Sequence, residues 1–322
     1  MAPMVLLAMS ALPGCVLISA NLNPFSSTPE PLEEYVIDGE GKNKILLLDI
    51  SRVISSRSEE NALSVKREEA TTARVLEELN RARKDDSVCA VVLRINSPGG
   101  TVTASDTIFH ELLRFKEERR VPVVAQLMDT ATSGAYYVAL ASDEIVASPT
   151  TVTGSVGVVM YGINLSGLMT KIGIKDQTLK SGALKDSGSP LRPMTPEDAQ
   201  VLQEVLTQMQ ARFLGLVRQR RPALTDETVQ VIADGRVLTA DQALQGHLVD
   251  HIGYLEDSIR IARQHAGVSE ARVVMYRRSQ EFAENIYSQP PVVAPQVNLV
   301  HVDLSSFVQP PQLMYLWLPS LD

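Results

Sequence analysis

Residues 44–50, Lys44-Ile45-Leu46-Leu47-Leu48-Asp49-Ile50, form a short apolar run bounded by polar positions, the pattern of a strand buried on both faces. The pattern recurs at 88–95 and 121–127. Between these runs the apolar period changes to that of a helix. Residues 69–83 place Ala73, Val75, Leu76 and Leu79 on one side, and 103–118 continue in the same manner. Alternating strand and helix predicts an α/β fold, a parallel sheet with right-handed strand-helix crossovers. Groups that act on a ligand collect at the carboxyl ends of such strands. The segments Asn96-Ser97-Pro98-Gly99-Gly100 and Thr130-Ala131-Thr132-Ser133-Gly134 both follow strands, so they are expected to meet at one edge.

Downstream, Thr195-Pro196-Glu197-Asp198 combines an N-cap, a first-turn proline and two first-turn acids, and predicts a helix running to about Arg220. Thr239-Ala240-Asp241-Gln242 has the form of a capping box. Residues 1–29 carry no charged side chain, and 1–20 read as a signal, lipoprotein or membrane-anchor segment. Within it, Leu12-Pro13-Gly14-Cys15 resembles a lipobox, which makes Cys15 the candidate lipidation site. Prolines and serines mark 21–43 as a linker, leaving 44–288 as the main domain. The tail, 289–322, has five prolines between Pro290 and Pro311, an apolar end and the only tryptophan, Trp317. It is expected to be extended and docked, and its apolar end could fill a peptide groove of its own domain.

Composition narrows the chemistry. With 44% hydrophobic residues, 21% charged residues and a formal charge of −8, the chain has no basic surplus for nucleic acid. Its two cysteines, Cys15 and Cys89, fit neither a disulfide framework nor a zinc site, and Cys89 sits in an apolar run as a small hydrophobe. No metal or cofactor is expected.

The candidate reaction centre is a serine with a lysine. Ser133 opens a segment of small and apolar residues, where free backbone N–H groups favour a developing negative charge; a helix N-cap is the alternative role. Gly99, Gly100 and Gly134 allow close backbone approach, and their N–H groups suit an oxyanion hole. Lys185, in Lys180-Ser181-Gly182-Ala183-Leu184-Lys185-Asp186, is the candidate base, with Lys180 as rival. To serve, its amine must be desolvated enough to titrate at roughly 7 to 8. Asp186 is therefore expected to face away, towards backbone or an arginine such as Arg192. The five histidines, His110, His247, His251, His265 and His301, all fall outside glycine-rich motifs near the serine, which disfavours a Ser/His/Asp arrangement.

Arg94-Ile95-Asn96-Ser97-Pro98-Gly99-Gly100, Ala131-Thr132-Ser133-Gly134-Ala135-Tyr136-Tyr137, Thr153-Gly154-Ser155-Val156-Gly157-Val158 and residues 180–193 together resemble the S49 serine peptidases, the signal peptide peptidase A family, in their short, single-unit form. Asp234-Gly235-Arg236-Val237 and Gly246-His247-Leu248-Val249-Asp250 extend the resemblance across 45–266. It implies a ClpP/crotonase-like fold, Ser133 as nucleophile, Lys185 as general base and Ser155 as the hydroxyl that holds the lysine amine. It further implies a homo-oligomer, an octamer-like dome in which Lys185 serves the serine of a neighbour. The expected activity is ATP- and metal-independent cleavage of membrane-derived apolar peptides, such as cleaved signal peptides, by an enzyme anchored through its N-terminus in the bacterial cell envelope, its catalytic domain outside the cytoplasm. Two other classes share parts of these features: a crotonase-type acyl-CoA enzyme, and a non-catalytic membrane scaffold.

Overall fold

The computed structural model describes residues 31–60, 67–278, 285–287 and 312–317. Segment 1–20 with Cys15, the linker before residue 31 and the tail apart from 312–317 lie outside the described residues. Along the chain come β1 (Glu33–Asp38), β2 (Lys44–Ser51), the two-residue strands β3 (Glu59–Glu60) and β4 (Arg67–Glu68), α1 (Thr71–Arg83), β5 (Val88–Ser97), β6 (Gly99–Thr101), α2 (Val102–Arg119), β7 (Val123–Thr132), α3 (Gly134–Ala139), β8 (Glu144–Ala147), β9 (Val152–Gly154) and β10 (Val159–Met160). Then follow α4 (Ser166–Lys171), α5 (Pro196–Arg220), α6 (Asp226–Ile232), β11 (Val237–Thr239), α7 (Ala240–Gln245), β12 (His251–Ile252), α8 (Leu255–His265), β13 (Arg272–Arg277) and β14 (Leu313–Leu316).

The apolar runs become the middle of a sheet ordered β1-β13-β2-β5-β7-β8-β12. Every neighbour from β13 to β12 is parallel, as the alternation of strand and helix predicts. In β2, Leu46, Leu48 and Ile50 enter the core beneath α1 and α2, while Ile45 and Leu47 point to the opposite core beneath α8. A strand covered on both faces has no polar side, which is why its sequence does not alternate.

β1 lies where the sequence reads as linker. It pairs antiparallel with β13 at the sheet edge, and its acidic sequence with no fully buried residue disguises it. Charge is a usual property of edge strands. Glu34 of this strand pairs with Lys44 of β2 at 2.8 Å. Helix starts follow the sequence signals closely. Thr195 and Asp198 form a reciprocal capping box on α5, with Pro196 in the first turn, and Thr239 and Gln242 do the same on α7.

Cys89 is only half-buried; its thiol donates to the Lys44 carbonyl at 3.4 Å, and burial pushes its pKa up. Beneath the sheet, Asp49 is buried between Arg94, at 2.5 Å, and Arg277. Glu78 of α1 is buried beside Arg74 at 2.6 Å.

The tail strand β14 belongs to a second, three-stranded antiparallel sheet, inserted between β10 and β6. The tail thus docks on its own domain at the carboxyl edge of the main sheet.

Candidate active site

Ser133 is the first residue beyond β7, with φ 54° and ψ −116°. A non-glycine residue in the positive-φ region carries strain of order 1–3 kcal/mol, which persists only where the surroundings enforce it. Here the Ser133 N–H donates to the Gly154 carbonyl at 2.8 Å, and the Ser133 carbonyl accepts from Tyr137 N–H at 2.9 Å. The hydroxyl makes no capping bond to α3 and has no hydrogen-bond partner among the described residues. A serine serving as N-cap would bond the N–H two or three residues on. Ser133 is instead a buried alcohol, 1% exposed, held at a sharp strand-to-helix turn. α3 has only six residues, shorter than the apolar run suggests, so local N–H groups matter more at this turn than a long helix dipole.

The glycines close in on this turn. A Cβ on Gly99, which has φ 100°, would lie 2.8 Å from Gly134 N, and a Cβ on Gly134 would lie 3.1 Å from Gly100 N. On Gly100 it would overlap the Ile54 carbonyl. Backbone therefore packs against backbone, as the glycine motif predicts, and the Gly100 and Gly134 amides lie on adjacent segments. The buried hydroxyls of Ser105, which lies against Gly134, and of Thr132 have no hydrogen-bond partner among the described residues.

Ser155 reaches the same place from a neighbouring strand. β9 runs parallel to β7 with Gly154 opposite Thr132, so Ser155 and Ser133 are the next residues of adjacent strands. Ser155 also has positive φ, 51°, and its N–H donates to the Arg236 carbonyl at 2.8 Å. The second half of the Asp234-Gly235-Arg236-Val237 motif thereby supports the site directly.

Lys185 sits in a different environment. It is exposed, between α4 and α5, and its ammonium makes no hydrogen bond or ion pair among the described residues. Nothing joins it to Ser133 within the protomer by hydrogen bonding. Its surroundings are nevertheless ordered by charge. Arg192 grips Asp186 at 2.7 Å and Asp198 at 2.5 Å, as the sequence reading of Asp186 anticipates. Hydrogen bonds from Arg192, then from Lys180, hold the Asp186 carboxyl well below the usual carboxylate range. Lys180, the rival base, is bound to Asp186 at 2.8 Å and to the Ala183 carbonyl at 3.0 Å. The segment around Lys185 also exposes Tyr161, Ile163, Leu168, Ile172, Ile174 and Leu179.

Of the histidines, His301 lies outside the described residues, and none of the others hydrogen-bonds Ser133 among the described residues. His251 and His265 both bond Glu144, at 2.8 and 2.6 Å, at the amino end of β8. No cluster of metal-ligating side chains occurs among the described residues.

One element of the site is not singled out by sequence reasoning. Tyr137, just past the serine, stacks on Tyr315 of β14 with ring centroids 5.3 Å apart, and Phe213 lies 4.8 Å from Tyr315. Phe109 meets Tyr137 edge-on at 5.5 Å. The Tyr137 hydroxyl donates to Asp106 at 2.6 Å. Burial and that bond push its pKa up. Phe213 reads in sequence as one apolar position on a helix, and Phe109 carries no motif at all. Only the tail brings out their common purpose.

The family model "Peptidase family S49" matches residues 115–269, which include Ser133, Ser155 and Lys185. The chain is 36% identical over 253 residues to "Putative signal peptide peptidase SppA" of Enterococcus faecium, covering 79% of this chain and 72% of that protein. It is 34% identical over 195 residues to "Serine protease SPPA, chloroplastic" of Arabidopsis thaliana, covering 60% of this chain and 28% of the plant protein. Among solved structures, the 1510-N membrane-bound stomatin-specific protease matches with a TM-score of 0.42 and 15% identity, covering 69% of this chain and 85% of that one. Identity at this level over most of the length, together with the parallel α/β sheet and the residues grouped at its carboxyl edge, settles the kinship: this chain belongs to the S49 family of serine peptidases.

Proposed function

We propose that the protein is a Ser/Lys endopeptidase in which Ser133 attacks and Lys185 of an adjacent copy is the base. The conformation of Ser133 carries the nucleophile assignment: a strained, buried serine with a hydroxyl committed to no other bond, beside the glycine amides. The exposure of Lys185 supports a base supplied in trans, since an amine that acts on a buried alcohol must itself become buried, and a neighbouring copy can provide that burial. The exposed apolar side chains around Lys185 offer a surface for such a contact.

In this reading the neutral Lys185 amine takes the proton of Ser133 Oγ as that oxygen adds to the scissile carbonyl. The tetrahedral oxyanion accepts hydrogen bonds from Gly100 and Gly134 N–H. The lysine ammonium then gives its proton to the leaving amine, freeing the C-terminal product and leaving an acyl-serine. Water, deprotonated by the same amine, hydrolyses the ester and restores Ser133. Ser155, beside Ser133, orients the amine. The substrates are extended apolar peptides, such as cleaved signal peptides, met by an enzyme of the bacterial cell envelope held through its N-terminal segment.

Fluorophosphonate labelling located by mass spectrometry tests the centre. Label on Ser133, lost in Ser133→Ala and strongly slowed in Lys185→Ala, is the expected result. Label on another serine, or full reactivity in Lys185→Ala, refutes it.

A further inference from the structure

β7 does not reach the serine as a regular strand. Against β5 its pairing runs to Ile95 opposite Leu127 and resumes with Ser97 opposite Ala131, so Met128, Asp129 and Thr130 all stand opposite Asn96 alone. On the other side of β7 the partner changes over the same residues: β8 stops at Ala147 opposite Leu127, and β9 begins at Val152 opposite Thr130. A bulge of this kind re-aims the chain beyond it and frees main-chain groups that a regular ladder would pair. The chain beyond it is Ala131 and Thr132, and then Ser133.

Two side chains take up those groups. Asn96 Oδ1 accepts the Thr130 N–H at 3.2 Å, and Asn96 Nδ2 donates to the Asp129 carboxylate at 3.1 Å. Thr151, buried just before β9, has its hydroxyl 2.6 Å from the Met128 carbonyl and 2.9 Å from that of Leu127. The Leu127 carbonyl already accepts Ser148 N–H at 3.0 Å, so the single Thr151 proton serves Met128. Asn96 thus turns its acceptor and one of its donors to the bulge, and a carboxamide is the short side chain that supplies both. Its own carbonyl accepts Arg52 N–H at 3.2 Å, so main chain and side chain together fix the residue that leads into the Ser97-Pro98-Gly99-Gly100 turn. One residue therefore joins the approach to the serine to the approach to the glycines.

We propose that Asn96 is a positioning residue for the nucleophile: its carboxamide holds the bulge at 128–130 in one shape, and that shape sets where Ser133 stands relative to the Gly100 amide. Asn96 makes no hydrogen bond to Ser133 among the described residues and acts through Thr130 and Asp129. The proposal rests on Ser133 as the attacking group. A displacement of about 1 Å between reacting atoms costs up to about a hundredfold in rate, so a loosened bulge is felt first in turnover. The sheet itself is held by its apolar strands, which Asn96, half-buried at the carboxyl edge, does little to support.

Three measurements on the full chain test it: steady-state kinetics on one apolar peptide, fluorophosphonate labelling of Ser133, and amide exchange at Thr130 read by mass spectrometry. Asn96→Ala should lower kcat about tenfold to a hundredfold with KM within about twofold, and slow labelling in proportion. Exchange at Thr130 should quicken at least about threefold. Asn96→Asp keeps an acceptor for Thr130 but sets a second carboxylate against Asp129, and should lower kcat about tenfold. Adding Asp129→Asn restores the pair with donor and acceptor exchanged, and kcat should return to within about twofold of wild type. Space filling gives no such rescue, because the exchange leaves both side chains the same size. If Asn96→Ala does not fold, the isosteric Asn96→Asp, with and without Asp129→Asn, carries the test. Wild-type kcat in the single variants, a change confined to KM, or a double variant no better than Asn96→Asp overturns the proposal. A wild-type chain whose Ser133 takes no label overturns the catalytic reading instead; exchange at Thr130, faster in Asn96→Ala and restored in the double variant, then shows that Asn96 still holds the bulge.

Discussion

Ser133 donates its main-chain N–H to the carbonyl of Gly154 at 2.8 Å, and this bond places Ser155 beside Ser133 at the ends of two parallel strands. Both serines take positive φ, so two strained turns from separate motifs converge on one point. Because the Ser133 hydroxyl caps nothing, Ser133→Ala should leave the thermal midpoint within about 2 °C while abolishing peptide hydrolysis. Ser155→Ala should lower kcat about tenfold to a hundredfold with KM nearly unchanged, the mark of a positioning residue. Steady-state kinetics on one apolar peptide reads both effects; a Ser155→Ala enzyme with normal kcat removes Ser155 from the mechanism.

Two inactive chains should rescue each other. Ser133→Ala and Lys185→Ala, unfolded or dissociated together and reassembled in equal amounts, should recover about a quarter of wild-type activity if serine and lysine come from adjacent copies placed at random in a closed ring. A dyad formed within one chain would give none, and the mixing assay distinguishes the two directly.

Asp186 is committed to Arg192 and Lys180, so its charge belongs to that cluster and not to the base. Asp186→Asn should therefore leave the ascending, acidic limb of the kcat/KM profile, along which the neutral Lys185 amine appears, unmoved when followed from about pH 5 to about pH 9. A shift of that limb by a full pH unit would mean that the carboxylate acts on Lys185 after all. The pKa values of Asp186 and Asp198 are both depressed by Arg192, so the clamp's contribution to stability is present above the ordinary carboxylate range and lost as pH falls below it.

Glu78 predicts an opposite dependence. Burial outweighs its bond to Arg74 and raises its pKa from 4.5 to about 7. Between those values the folded chain binds the extra proton, so the contribution is complete below the unfolded value and stability falls as pH rises towards the folded one. Urea unfolding should show wild type losing about 2–3 kcal/mol more than Glu78→Gln between about pH 5 and about pH 8. Parallel stability curves for the two would show that Glu78 ionises in the folded chain much as it does when unfolded.

The central strands, the capped helices and the meeting of the two post-strand loops are legible in the sequence because each rests on local chemistry: apolar runs, a threonine three residues before an acid or amide, glycines beside a strand end. β1 is not, because an edge strand keeps water on one side and its acids, Glu33, Glu34 and Asp38, resemble those of a linker. The aromatic box escapes for another reason. Phe109, Tyr137, Phe213 and Tyr315 come from four distant segments, and each is individually indistinguishable from core packing. Ser133 and Ser155 can be recognised from their motifs, but their proximity depends on the register of β9 against β7, which no local pattern encodes.

Asp198 gives the segment bearing Lys185 a mechanical identity. One carboxylate caps α5 through Thr195, receives Ser187 at 2.6 Å and holds Arg192, so the stretch after Lys185 is pinned to the start of a 25-residue helix. Near the other end of that helix, Arg220 donates to the carbonyl of Leu140, just past the short helix that begins after Ser133. A helix roughly 37 Å long thus joins the stretch that carries the lysine to the end of the short helix that begins after Ser133. If alcohol and amine serve different sites, that one helix makes each protomer a brace between two of them.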